Sequence, residues 1–202
     1  MSTRSVTLLG STGSIGTQCL DIVRKSPDMK ILGLSANKNI ALVETQAREF
    51  KPKLVAVAEQ SLAADLKIKL ADTDVRVAAG EDGVCEAAGL DGADTVVSAL
   101  TGIAGLRPTI CAIQSGKNVA LGNKETLVAG GELVTALAKR HGVSILPVDS
   151  EHSAVFQCLS GMAKREQLKR IILTASGGPF FGKTADQLSD VTPAQALRHP
   201  NW

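Results

Sequence analysis

Tyrosine is absent from this 202-residue chain, and aromatic residues make up only 2% of it. The core must therefore be built from Ala, Val, Leu and Ile. Modules that bind single-stranded nucleic acid stack bases on aromatic rings, so the scarcity counts against that class. No charge of one sign dominates either. Lys and Arg number 22 against 20 Asp and Glu, a net charge of +2, without the clustered basic excess of a dedicated nucleic-acid binder. The start, MSTRSVTLLG, lacks the apolar stretch of a signal peptide. No run approaches the roughly 18 apolar residues of a membrane span. The four cysteines, Cys19, Cys85, Cys111 and Cys158, are far apart in sequence. No CxxC or Cys/His spacing occurs, so no zinc site is expected. Cys19 and Cys111 fall on apolar helical patterns and read as small core residues. A chain of this length buries roughly 70% of its unfolded surface and needs no disulfide or metal staple. The expectation is a cytoplasmic enzyme or binding domain, with no nucleic-acid partner and no membrane partner.

What is present is an ordinary globular balance of 44% hydrophobic and 21% charged residues. Short β-branched runs alternate with helical patterns. The candidate strands are 5–9, 31–35, 53–58, 75–78, 95–99, 118–121, 144–147 and 170–175. Between the first two, Ile15, Cys19, Ile22 and Val23 share one helical face, and Leu127, Leu133, Leu137 and Ala138 mark another helix. Such alternation predicts an α/β fold, with a parallel sheet covered on both faces. The character changes near Pro147, where the polar and Gly/Pro-rich segments DSEHS, ASGGPFFG and RHPNW follow. A soft domain boundary is expected there.

Gly10-Ser11-Thr12-Gly13-Ser14-Ile15-Gly16 follows the first strand and opens the first helix. In a doubly wound fold this turn holds a dinucleotide pyrophosphate, because glycines allow close backbone approach and the helix start offers free N–H groups. Ser11, Thr12 and Ser14 add hydroxyl donors. The second strand ends at Ser35-Ala36-Asn37-Lys38-Asn39, without the acid that accepts from the ribose 2′-hydroxyl in NAD sites. Lys38 suits a 2′-phosphate instead, so NADP(H) is expected over NAD(H). Gly122-Asn123-Lys124-Glu125 follows the sixth strand, at the end that faces the ligand crevice. These charges also fit an ordinary first helical turn. Asp149-Ser150-Glu151-His152-Ser153 carries two carboxylates at i, i+2, the oxygen ligands that Mg²⁺ or Mn²⁺ prefers; a helix N-cap fits the same residues. Ser176-Gly177-Gly178 offers a hydroxyl and turn amides suited to a phosphate, and a plain turn is the alternative.

In order, the segments GSTGSIG, GNKETLV, LPVDSEHSAVFQCL, TASGGPF and RHPNW resemble the 1-deoxy-D-xylulose 5-phosphate reductoisomerase family along the full chain. DSEHSAVFQ and HPNW are specific motifs; the glycine turn is not. The resemblance implies a Rossmann-like, doubly wound parallel sheet over residues 1–147, binding NADPH. It implies the start of an α+β catalytic domain, for metal and substrate, over 148–202. It implies an NADPH- and divalent-metal-dependent enzyme (Mg²⁺, Mn²⁺ or Co²⁺), both isomerase and oxidoreductase, acting on a phosphorylated ketose in the methylerythritol phosphate route to isoprenoid precursors. By likeness, Thr12, Gly13, Ser14 and Ile15 hold the pyrophosphate. Asn37, Lys38 and Asn39 hold the 2′-phosphate side, and Asn123 and Glu125 complete the cofactor site. Asp149 and Glu151 bind the metal, Lys124, Ser150 and Glu151 contact substrate, and Ser176 meets its phosphate. His199 belongs to a lid over the substrate, and Lys124, Glu151 and His199 are the expected catalytic residues. Family members are commonly homodimeric and roughly twice this length. The third metal carboxylate is expected after HPNW, and the closing Trp202 reads as a cut end. The chain is therefore expected to bind NADPH and to be inactive alone. The alternatives are another NADP-linked oxidoreductase, which would need a nucleophilic Cys beside a base, or a dinucleotide-binding module without catalysis.

Overall fold

The computed structural model describes residues 3–162, 165–173 and 178–198. The chain divides into two compact units, Met1–Asp149 and Ser150–Trp202.

The first unit is a seven-stranded parallel sheet. Its strands are β1 (Arg4–Leu9), β2 (Met29–Ala36), β3 (Leu54–Val57), β4 (Arg76–Ala79), β5 (Thr95–Ser98), β6 (Asn118–Leu121) and β7 (Ile145–Pro147). They lie in the order β4-β3-β2-β1-β5-β6-β7, so the chain winds outward from β1 in one direction and then in the other. The connecting helices are α1 (Ser14–Arg24), α2 (Ile40–Phe50), α3 (Ala63–Lys69), α4 (Gly80–Ala88), α5 (Leu106–Gln114) and α6 (Glu125–His141). Both faces of the sheet are covered, which is why its strands are apolar on both sides. Val55 and Val57 join Leu20, Val43 and Leu66 in one core cluster, under α1–α3. Leu54 and Ala56, on the opposite face of the same strand, join Val84, Ile113 and Val134 under α4–α6. Cys19 and Cys111 are half-buried and pack against these two clusters respectively.

Two helical faces differ from the sequence expectation. In α1 the buried residues are Gly16, Leu20 and Val23, whereas Ile22 is 59% exposed. Ile22 lies two residues past Leu20, about 200° around the helix, so both cannot meet one sheet face. In α6, Val134 and Ala138 are buried and Leu133 is half exposed, for the same rotational reason. Gly130 breaks the α6 geometry with φ −142°, and a Cβ there would stand 2.8 Å from Leu106 Cδ1. The kink lets α5 and α6 approach.

The second unit holds α7 (Ser150–Ser160), a short α8 (Pro193–Ala196) and several single 3₁₀ turns. α8 begins at Pro193 with a capping box between Thr192 and Gln195. The expected eighth strand, 170–175, is not formed over its described part, 170–173. Ile171, Ile172 and Leu173 are exposed there, and no neighbouring strand completes a ladder among the described residues. An apolar β-branched run becomes a strand only when a partner takes its N–H and C=O groups.

Candidate functional site

The chain reverses its winding direction at β1, between β2 and β5, which leaves a crevice at the carboxyl ends of the central strands. The glycine turn sits in it. Ser35, near the end of β2, accepts the Gly10 N–H through its carbonyl and its hydroxyl, both at 3.0 Å, and the Ser11 N–H at 2.8 Å. Gly10 has φ +81°, and a Cβ on it would lie 2.5 Å from the Ala99 carbonyl. A Cβ on Gly16 would overlap the Gly10 carbonyl and stand 2.7 Å from Ser11 Cα. These two positions admit no side chain, so the turn is tight because glycine occupies them. Gly13 is the N-cap of α1, and no side chain caps that helix. The first-turn amides, with the positive end of the helix dipole, are left for an anion.

Within the turn the three hydroxyls part company. Ser11, expected to face phosphate, is buried instead. Its Oγ donates to Gln46 Oε1 at 2.7 Å, and Gln46 Nε2 donates to the Ser11 carbonyl at 3.0 Å. The turn therefore rests on a buried glutamine from α2 that sequence reading passed over. Its only sequence signal is a polar residue three positions after buried Val43. Thr12 is half-buried, and Ser14 is exposed and accepts from Gln18 at 3.2 Å.

Asn37, Lys38 and Asn39 are exposed at the end of β2. Asn39 Oδ1 caps α2 by accepting the Leu42 N–H at 3.1 Å. Lys38 Nζ stands 3.8 Å from a carboxylate oxygen of Glu59, which follows β3. The pair is exposed and at the outer limit of an ion pair. No sequence signal links residues so far apart.

The second cluster reaches the same edge. Gly122 follows β6, and a Cβ on it would lie 3.3 Å from Ile15 Cδ1, so Ile15 packs against its backbone. Asn123 is buried. Its Nδ2 donates to the Gly102 carbonyl at 2.9 Å and to Glu125 Oε2 at 3.0 Å, while its Oδ1 accepts from the Thr126 hydroxyl. Asn123 thereby ties the 3₁₀ turn Gly102–Gly105, after β5, to the start of α6. Lys124 and Glu125 are exposed there.

Asp149 ends the first unit, one residue after Val148, whose N–H donates to the Leu121 carbonyl at 3.0 Å. In the second unit Glu151 lies in the first turn of α7 and accepts from Ser150 Oγ at 3.0 Å. Among the described residues no three His, Cys, Asp or Glu side chains gather to hold a metal ion. Ser176 and His199 lie outside the described residues.

Residues 6–131 match the family model described as 1-deoxy-D-xylulose 5-phosphate reductoisomerase, and residues 145–202 match that of its C-terminal domain. The chain is 51% identical to the 1-deoxy-D-xylulose 5-phosphate reductoisomerase of Agathobacter rectalis over 199 residues, covering 98% of this chain and 52% of that protein. It is 53% identical to that of Acaryochloris marina, covering 98% and 50%. Among solved structures, the enzyme from Zymomonas mobilis in complex with NADPH superposes with a TM-score of 0.83 at 44% identity, over 98% of this chain and 52% of that one. Another such reductoisomerase, in complex with NADPH, fosmidomycin and magnesium, gives 0.81 at 37% identity, over 98% and 52%. The chain spans about half the length of the relatives it matches.

Proposed function

Because the chain belongs to the 1-deoxy-D-xylulose 5-phosphate reductoisomerase family, we propose that it forms the NADPH-binding part and the start of the catalytic part of such an enzyme. The whole protein would isomerise and reduce 1-deoxy-D-xylulose 5-phosphate to 2-C-methyl-D-erythritol 4-phosphate, toward isoprenoid precursors. It would work as a cytoplasmic homodimer. No helix among the described residues is long and apolar enough to cross a membrane. The observation that supports the reading is the uncapped start of α1, set in a turn whose Gly10 and Gly16 admit no side chain, with Ile15 packed against Gly122 after β6.

Bound to this protein, NADPH supplies hydride and a divalent cation supplies Lewis-acid charge withdrawal. The chain's residues do the rest. The amides at the start of α1, with Thr12, Gly13, Ser14 and Ile15, bind the pyrophosphate. Lys38 neutralises the 2′-phosphate, and Asn37 and Asn39 donate to it. Asn123 and Glu125 hold the far side of the cofactor site, Asn123 by fixing the Gly102–Gly105 turn. Lys124 is free to swing toward substrate from an exposed position and donates to its oxygens. Asp149 and Glu151 would hold the cation as ionised carboxylates, since protonation removes the ligand. A further carboxylate would come from outside this chain. Ser150 and Ser176 contact substrate oxygens and phosphate, and His199 covers the substrate.

The test is a calorimetric titration of the full-length enzyme with NADPH, with NADH as control, in the presence and absence of Mg²⁺. We expect at least a ~10-fold preference for NADPH, a difference of about 1.4 kcal/mol, unchanged by Mg²⁺. A folded enzyme that binds neither nucleotide would overturn the reading.

A further inference from the structure

Residues 37–39, read above as the 2′-phosphate side of the cofactor site, connect β2 to α2. Both flanks of this connection are hydrogen-bonded to the glycine turn. Before it, the Ser35 carbonyl accepts the Gly10 and Ser11 N–H groups at 3.0 and 2.8 Å, and the Ser35 hydroxyl accepts the Gly10 N–H at 3.0 Å. After it comes Gln46, two turns along α2 from the Asn39 cap. Ser11 Oγ donates to Gln46 Oε1 at 2.7 Å, and Gln46 Nε2 donates to the Ser11 carbonyl at 3.0 Å. Both side chains are buried. Gln46 stands with Val43 and Ala47 among the buried residues of α2, where an apolar side chain would fill the same space. A buried amide adds little net stability over its bonds to water. What it adds is direction. Apolar contact lets a helix slide, because hydrophobic attraction has no preferred orientation, whereas two aligned hydrogen bonds hold α2 at one place against the turn.

We propose that Gln46 is a positioning residue that sets the preference for NADPH over NADH. By fixing α2 to Ser11 it holds residues 37–39 at the distance from the glycine turn that a 2′-phosphorylated dinucleotide spans. The inference rests on the reading of the first unit as an NADPH site. In NADPH the adenosine ribose sets the separation of the pyrophosphate and the 2′-phosphate. Two sites met by one ligand add their affinities only when their spacing matches that ligand. Gln46 works through Ser11 on one side and through α2 with its Asn39 cap on the other. Without Gln46 the Ser35 bonds remain, so the turn still receives a pyrophosphate. The 2′-phosphate then loses its matched partner, and NADPH loses more affinity than NADH.

The test measures the Kd of NADPH and of NADH by calorimetry, and the thermal midpoint, for the full-length wild type, for Gln46→Leu and for Gln46→Leu combined with Ser11→Ala. In Gln46→Leu the preference for NADPH should shrink by about 3-fold or more. The leucine strands the Ser11 hydroxyl, and Ser11→Ala removes it, so the double variant should regain part of the lost thermal midpoint. Its preference should stay low, because α2 is still not fixed to the turn. Equal loss of both nucleotides in Gln46→Leu, or a preference that recovers together with the midpoint, would make Gln46 a residue of stability alone and overturn the proposal. If Gln46→Leu does not fold, Gln46→Met, unbranched like glutamine, serves for the same comparison. A wild type that binds both nucleotides equally would remove the NADPH reading and this inference with it; an unchanged preference in the variants overturns this inference alone.

Discussion

Gln46 is nearly inaccessible, yet it makes both of its described hydrogen bonds to one residue of the glycine turn. Gln46→Leu would keep the size of the side chain and strip the Ser11 hydroxyl and carbonyl of their partners. Leaving buried polar atoms unsatisfied costs about 1–3 kcal/mol, and a loss of that order is expected in urea unfolding. NADPH affinity should fall several-fold with it, because the turn loses its support; an unchanged Kd would show that the turn keeps its shape without Gln46. Lys38 acts at the same scale by charge. It is largely exposed, so its proposed pairing with a 2′-phosphate is screened by water and salt. Lys38→Ala is expected to weaken NADPH binding about 10-fold, or about 1.4 kcal/mol, and to leave NADH unchanged. Equal loss for both nucleotides would remove Lys38 from the 2′-phosphate site.

Among the elements, α1 and α2 are linked on their solvent side by a fork. Arg24 of α1 donates to both carboxylate oxygens of Glu49 on α2, at 2.6 and 2.7 Å, and lies 5.3 Å from the Phe50 ring centroid. The hydrogen bond from Arg24 holds the Glu49 carboxyl below its ordinary value of 4.5. A carboxylate lowered in the folded state adds stability above the unfolded value, and that contribution is lost as pH falls through the folded one. Both side chains are about two-fifths exposed, so the pair contributes at most about 1 kcal/mol. Glu49→Gln should therefore lower the urea midpoint slightly at neutral pH and flatten its decline below about pH 4.5. Parallel acid profiles for the two proteins would show that the fork contributes nothing to stability. The same scale explains why helix faces were partly legible. Apolar spacing placed α1 and α6 but assigned Ile22 and Leu133 to their cores, because it counts apolar residues without knowing how wide a stripe the sheet can cover.

For the whole molecule, the proposed cofactor and metal ligands occupy separate segments of the chain. In the full-length enzyme, Asp149→Asn should abolish turnover and leave the NADPH Kd within about twofold, since it would remove a proposed metal ligand and no part of the glycine turn. Equal losses of turnover and NADPH binding would sink the metal assignment. Much of the fold was legible in the sequence: the seven strands of the first unit, their alternation with helices and the position of the glycine turn all follow from local pattern. Periodicity, Gly spacing and turn residues are properties of neighbours along the chain, and they determined an α/β fold with a parallel sheet covered on both faces and a glycine turn after its first strand. Only the tertiary structure decided that Ser11 faces Gln46, that Glu59 stands beside Lys38, and that residues 170–173 are not a strand. Each depends on what another segment brings to the same place. Such contacts are chosen by packing and hydrogen-bond satisfaction across the fold, which no local spacing encodes.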